Sequence, residues 1–207
     1  LREQLLETLS PQEIAEEVID NLESDDAADI VSELSQDIKE EVFSHIEDLE
    51  HASDIADLLN YSEDSAGGLM AKELIKVNIN WTVMRCVREM RKQAEDVNFV
   101  HTIYVVDDND TLLGTLSLKK LLVTDAKTII TDIYKQDIIM VNATEDNEEV
   151  GNIMNKYDLI VLPVVNDLGQ LIGRITVDDV MEVMKEEAEK DYQMASGISE
   201  DVESSDS

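Results

Sequence analysis

Two carboxylates four residues apart, Asp25 and Asp29, share one face of any helix that contains them, and like charges at that spacing repel. Near the other end of the chain Asp178, Glu182 and Glu186 form a ladder of the same kind, with Asp179 and Glu187 on neighbouring lines. Such ladders weaken a helix unless a cation or an opposed base sits between them. Lys185 and Lys190 are the only Lys or Arg from Val177 onward. Cation binding is therefore the chemistry open to these residues, and hard oxygen donors suit Mg²⁺ or Ca²⁺, while no His/Cys cluster argues for zinc. Mg²⁺ takes one or two carboxylates and keeps several waters, so a site shared between domains suits it. The plainer alternative is a set of solvated helix faces.

Little else in the chain offers chemistry. His45, His51 and His101 stand in separate contexts with no nucleophile or acid–base partner, and Gly67-Gly68 is an isolated pair rather than a phosphate-binding loop. Cys86 lies among Val83, Val87 and Met90 on a helical pattern, which makes it a buried structural thiol in a reducing, intracellular setting. The methionines fall mainly at apolar helical positions, and Trp81 reads as a packing anchor. No enzyme is expected.

The 207 residues carry 48 Asp+Glu against 16 Lys+Arg, a net charge of −32. That balance excludes nucleic acid, whose backbone needs a basic surface, and disfavours an anionic membrane surface. With 43% hydrophobic residues the chain can build cores despite the charge. No apolar run approaches the roughly 20 residues that cross a bilayer. Leu1 stands where a Met would open a complete chain, so the sequence reads as a piece of a longer protein.

The elements that must position the acids follow from periodicity. Ser10-Pro11-Gln12-Glu13 has the cap, proline and capping-box Glu of a helix start. Ser24 is expected to cap a second helix, and further helices follow at Ile38–Ile46 and Ala52–Leu59. Beyond Asn60 short strands enter at Leu74–Ile79, Ile103–Val106 and Thr111–Leu116, with a helix from Thr82 to about Gln93 and another from Ser117. The order then returns: a strand at Ile138–Val141, a helix capped by Asp146 to about Tyr157, a hairpin of Ile160–Val165 and Gln170–Ile175, and a last helix from Thr176.

A shift of 59 matches Val105 with Val164, Val106 with Val165, Asp108 with Asp167, Leu112 with Leu171, Gly114 with Gly173 and Ser117 with Thr176. Upstream, Val77-Asn78 falls on Val141-Asn142 and the caps Thr82 and Asp146 coincide. This is an internal repeat of a β-α-β-β-α unit.

Tyr104-Val105-Val106-Asp107 with Leu113-Gly114-Thr115-Leu116-Ser117, and Leu162-Pro163-Val164-Val165 with Ile172-Gly173-Arg174-Ile175-Thr176-Val177-Asp178-Asp179, resemble the two motif stretches of the CBS domain. The segment Tyr61-Ser62-Glu63-Asp64-Ser65-Ala66-Gly67-Gly68-Leu69-Met70 resembles the linker of the MgtE family of Mg²⁺ channels and transporters. Asp25-Asp26-Ala27-Ala28-Asp29 is similar to the acidic segment of that family's N domain. Together they cover roughly Leu5 to Gln193. The fold implied is α+β, an N-terminal all-α superhelical bundle followed by a tandem CBS pair and a C-terminal acidic helix. The expected boundaries are 1–60 for the helical domain, 61–72 for the linker, 73–127 and 128–176 for the repeats, 177–193 for the acidic connecting helix and 194–207 for a disordered tail.

The resemblance implies Mg²⁺ as regulatory ligand and assigns its donors by position. Asp25, Asp29 and Asp179 would bridge the helical domain and the terminal helix. The Gly68 carbonyl and Asp146 would form a site near the linker. Asp158, with the Asn155 carbonyl, would face the terminal helix, on which Glu187 and Asp191 are further ligands; Lys190 stands where the family tends to have another acid. The expected protein is a Mg²⁺ sensor on the cytoplasmic face of a membrane, forming a homodimer, with a transmembrane pore domain that is not in this chain. The joints between its domains are expected to be short of bases. The alternative is an adenosine-nucleotide-responsive CBS module, with Lys119, Lys120, Thr176 and Asp178 as candidates for ATP. Lys120 stands where the nucleotide motif has Asp or Asn, and neither Thr102 nor Leu159 offers a stacking ring.

Overall fold

The chain enters its first helix through Ser10, whose hydroxyl accepts the Glu13 N–H while the Glu13 carboxylate takes the Ser10 N–H at 2.7 Å. This is the reciprocal cap that the local sequence calls for. The structure, a computed structural model, describes residue 6 and residues 8–95, 97–100 and 102–203, apart from the side chains at 186, 187, 190, 191 and 195–203. Helix α1 (Pro11–Glu13) runs into a π-helical turn at Ile14–Val18 and a 3₁₀ turn at Ile19–Asn21. Helices α2 (Ser24–Glu33), α3 (Gln36–His45) and α4 (Leu49–Leu58) complete the helical region. Ser24 does not cap α2: Glu23 holds the cap position without a side-chain bond. The Ser24 hydroxyl instead serves a partner far along the chain.

A short helix α5 (Ala66–Leu69), capped by Ser65, leads into the repeats. In the first, strands β1 (Ile75–Asn78), β2 (Ile103–Val106) and β3 (Leu112–Leu116) form a sheet in that order, with helices α6 (Val83–Gln93) and α7 (Leu118–Val123). In the second, β4 (Val141–Asn142), β5 (Val161–Val165) and β6 (Leu171–Thr176) repeat it with helices α8 (Asn147–Lys156) and α9 (Val177–Glu203).

The repeat is exact to the register. Val105 pairs with Gly114 and Val164 with Gly173, and each hairpin carries its irregularity one residue further on. Asn78 donates to Asp108 at 2.7 Å, and Asn142 to Asp167 at 2.9 Å. The hairpin turns take a left-handed residue at equivalent places, Asp110 (φ 60°) and Gly169 (φ 75°). Such a conformation favours Gly and is tolerated by Asp.

The two copies are also interleaved. Ala71, ahead of the first repeat, pairs with Arg174 in β6 of the second, each N–H donating to the other's carbonyl at 2.9 Å. Lys135, ahead of β4 in the second repeat, pairs with Thr115 in β3 of the first. β4 starts at Val141 rather than at the expected Ile138. Leu112 N–H to Gly169 O (3.0 Å) and Leu171 N–H to Asp110 O (2.9 Å) join the hairpins.

Ile75, Val77, Cys86, Ile103, Val105 and Leu121 make a separate core for the first repeat. The core of the helical region, with Ile14, Ile19, Val31, Val42 and Ile55, is continuous through Leu69 and Met70 with Val150, Leu162, Val164, Ile175 and Val180 of the second repeat. Full burial of such a side chain stabilises by about 1.5–3 kcal/mol, so the apolar anchoring of the helical region is to the second repeat, while polar contacts such as Asn98 to Glu23 (3.3 Å) reach the first. Helix α9 continues past Gln193 to Glu203, through most of the segment expected as a loose tail. Among the described residues no helix is long and apolar enough to cross a membrane.

Candidate metal centre

The junction forms where α2 and α4 of the helical region meet the linker and β6. Residues 64–67 lie along the second repeat, with Ala66 N–H donating to Glu145 O (2.7 Å), Gly67 N–H to Ala143 O (2.8 Å) and Asn147 N–H to Asp64 O (3.1 Å). Gly68 is required here, since a Cβ on it would stand 2.3 Å from the Ser62 carbonyl oxygen.

Charged groups then cross from one body to the other. Arg174, only 4% exposed, pairs through Nη2 with Glu23 at 2.6 Å and donates from Nε to the Glu73 carbonyl at 3.1 Å. The Glu73 carboxylate accepts the Ser24 N–H (3.0 Å) and hydroxyl (2.7 Å), and Lys72 N–H donates to the Ser24 oxygen (2.8 Å). His51 places Nδ1 3.6 Å from Glu73 and Nε2 3.1 Å from the Ile19 carbonyl oxygen. Both ring nitrogens thus face acceptors, which the protonated imidazolium satisfies. Its pKa is raised, chiefly by the Glu73 hydrogen bond, against the opposing effect of burial. Burial pushes the Glu73 carboxyl up, but the bonds from His51 and Ser24 bring it below its usual range. Lys72 pairs with Asp57. The expected shortage of bases at the joint is therefore corrected: Arg174, His51 and Lys72 stand in it.

Asp25 begins α2 beside this network. Burial first, and then the charge of Asp179, raises its carboxyl to about 7, against the Asp26 N–H at 2.9 Å and the charge of Arg174. Asp179, in the first turn of α9, accepts the Thr176 N–H (2.9 Å) and hydroxyl (2.6 Å), both on Oδ2. The Asp25 carboxyl thus feels the charge of Asp179 from the other side of the junction.

Asp29, one turn further along α2, is exposed. Among the described residues no group of three or more His, Cys, Asp or Glu side chains is gathered for a metal. A site with only one or two carboxylates would fit Mg²⁺, which completes its shell with water, better than Ca²⁺ with its 6–8 oxygen ligands.

The other expected sites are placed as follows. Asp146 pairs with Ser65 at the start of α5, in which Gly68 lies, and accepts the Glu148 N–H as the cap of α8. Asp158 is exposed with φ 50° at the end of α8, and its N–H reaches the Asn155 carbonyl at 3.4 Å. The side chains of Glu187 and Asp191 lie outside the described residues, as does His101. Lys119, Lys120 and Asp178 are exposed, and the Thr176 hydroxyl is engaged by Asp179.

A shallow recess between the repeats is lined by Glu73, Phe99, Thr102, Tyr104, Val161 and Arg174, among others. Among the described residues the hydroxyl of Tyr104, a residue 2% exposed, has no hydrogen-bond partner. The recess has room for about one water. None of the four nucleotide candidates lines it.

Sequence reasoning missed Glu23, Ser24, His51, Glu73 and Arg174 as a network. One signal was available: Arg174 is a lone charge in an apolar strand, where the first repeat has Thr115.

Comparison with known proteins places this geometry. Residues 1–64 match the description of the MgtE intracellular N domain, and residues 66–126 and 130–186 match the CBS domain. The chain is 41% identical over 139 residues to the magnesium transporter MgtE of Thermus thermophilus, covering 67% of this chain and 31% of that protein. It spans about a third of the length of the curated relatives it matches. Its fold is similar to the soluble part of a magnesium transporter (TM-score 0.74, 29% identity, 90% of this chain and 82% of the other). It is also similar to the cytosolic domain of the Mg²⁺ channel MgtE in complex with ATP (TM-score 0.62, 31% identity, 88% and 93%).

Proposed function

The chain belongs to the MgtE family, carrying its intracellular N domain and a pair of CBS repeats, and from that premise we propose that it is the cytosolic Mg²⁺-sensing region of a magnesium channel or transporter. The observation that supports this reading is the Asp25 carboxyl at the junction, which burial and the charge of Asp179 make costly to ionise. A divalent cation between the two acids converts that cost into attraction.

The mechanism is a population shift. When Mg²⁺ is scarce, repulsion at the junction favours separation of the helical region from the second repeat. When it is abundant, the ion supplies positive charge to Asp25 and Asp179, with Asp29 one turn away, and favours the compact arrangement. Gly68 with Asp146, and Asn155 with Asp158, would hold ions at the linker and at the end of α8. Glu187 and Asp191 would do so on α9. That helix would transmit the arrangement to a pore domain beyond this chain and hold the pore closed. The region would act as a homodimer on the cytoplasmic face of the membrane, with no catalytic role. Moving such an equilibrium from 1:99 to 99:1 requires about 5.5 kcal/mol of differential binding, more than one weak site supplies, which favours several ions.

A second reading keeps one observation in its favour. Tyr104, whose hydroxyl has no partner among the described residues, lines a recess between the repeats, and a structure of similar fold is a complex with ATP. ATP would then be a second regulatory ligand.

Limited proteolysis during titration with Mg²⁺, ATP and a salt of equal ionic strength tests both. Protection by Mg²⁺ that salt does not reproduce, blunted in Asp25→Asn/Asp29→Asn, supports the sensor. Protection by ATP alone supports the nucleotide module instead.

A further inference from the structure

Arg174 occupies an unusual place for a charge. It sits in the middle of β6, flanked by Gly173 and Ile175, at 4% exposure. Burying a guanidinium is costly unless it is paired and hydrogen-bonded. The pairing here comes from both bodies. Nε is bound to the carbonyl of Glu73, next to the first repeat, whereas Nη2 is bound to Glu23, at the start of α2 in the helical region. Asp25 and Asp179 lie within the field of the same guanidinium. Glu73, Ser24 and His51 close the junction beside it. Arg174 thus stands among the carboxylates that a divalent cation would bridge, yet its bonds run to Glu23 and Glu73 and not to Asp25 or Asp179.

We propose that Arg174 is a tethered cation that presets the Mg²⁺ threshold of this junction by docking α2 through Glu23 beside the Asp25–Asp179 pair. This rests on the Mg²⁺-sensing reading above. The guanidinium neutralises the acidic charge that α2 brings, that of Glu23 and Asp25, only when the helical region is docked. It does not compete for the ion, since its fork is directed to Glu23 and the Glu73 carbonyl. It lowers the amount of Mg²⁺ needed to hold the compact state, and makes Arg174 a positioning residue for the ion's carboxylates.

The test is a Mg²⁺ titration at constant ionic strength of the whole chain, followed by small-angle scattering and protease resistance. Wild type, Arg174→Met, Glu23→Gln and Arg174→Met/Glu23→Gln are compared. Arg174→Met should raise the Mg²⁺ concentration at the midpoint by about tenfold, equivalent to ~1.4 kcal/mol of lost docking. The double variant, which also removes the acid left uncompensated, should be shifted less than Arg174→Met alone. An Arg174→Met midpoint that is unchanged or lower overturns the proposal, as does a double variant shifted as far as the single one. If circular dichroism shows Arg174→Met unfolded, Glu23→Gln carries the test: it removes the same contact from the other side and should raise the midpoint, and an unchanged midpoint overturns the proposal. A wild-type chain with no Mg²⁺ response sinks the sensing reading itself, a distinct result.

Discussion

The charge of Asp179 in α9 reaches Asp25 of α2 across the junction and joins burial in lifting its carboxyl to about 7. In the absence of divalent cations this pair should make the fold depend on pH. A carboxyl whose folded pKa exceeds its unfolded value of 3.8 contributes stability that is complete below 3.8 and is lost as pH rises through about 7. Asp25→Asn removes that loss. With chelator present, thermal unfolding should show the variant more stable than wild type at pH 8, on the order of 2 kcal/mol, with the gap closing toward pH 4. Equal stability at pH 8 would remove the repulsion from the argument.

The His51–Glu73 contact has the same sign with a different window. His51 is raised above its ordinary value by its bond to Glu73. Its contribution is therefore full below the unfolded value of about 6.5 and fades as pH rises through the folded one. Amide hydrogen exchange in α4 should be faster in His51→Gln than in wild type by about tenfold at pH 6. The two proteins should converge once the pH is above the raised value of His51. A difference that persists at high pH would assign His51 to packing rather than charge.

Gly114 and Gly173 answer to each other in the two repeats and meet the crossing segments. A Cβ on Gly114 would lie 2.1 Å from the Lys135 carbonyl oxygen, and one on Gly173 would lie 2.6 Å from Met70 Sδ and 2.9 Å from the Ala71 carbonyl oxygen. Each Gly→Ala change should destabilise by about 2–3 kcal/mol in urea unfolding. Gly114→Ala should be the worse, because a backbone carbonyl cannot swing aside as the end of a methionine can. The reverse order would show that the Lys135 segment yields more easily than the linker.

Cys86 is fully buried, and burial pushes its thiol to about 11, with Arg85 opposing. A maleimide at pH 7.5 should label the native chain at least about 100-fold more slowly than the urea-unfolded chain. Rapid labelling of the native protein would mean that α6 opens readily.

What could be read from the sequence was what repeats or acts locally. The caps at Ser10, Thr82, Ser117 and Asp146 bond within three residues, and Val105/Val164 with Gly114/Gly173 announce their register by recurring at one spacing. The junction could not be read this way. Ser24 and Glu73 are 49 residues apart, and Glu23 and Arg174 are 151 apart. Ser24 looks like a cap because Ser is a good one, and only the presence of Glu73 diverts it. Asp25 and Asp179 could be singled out as acids by composition and resemblance, but the effect of one on the other depends on how two bodies pack.

The exchange of leading segments, Ala71 onto β6 and Lys135 onto β3, has a bearing on what can stand alone. Each repeat borrows an edge from its twin, so a lone copy would expose an unmatched ladder. Deleting one repeat takes with it a strand partner of the other. The unit whose ladders are all matched is the pair.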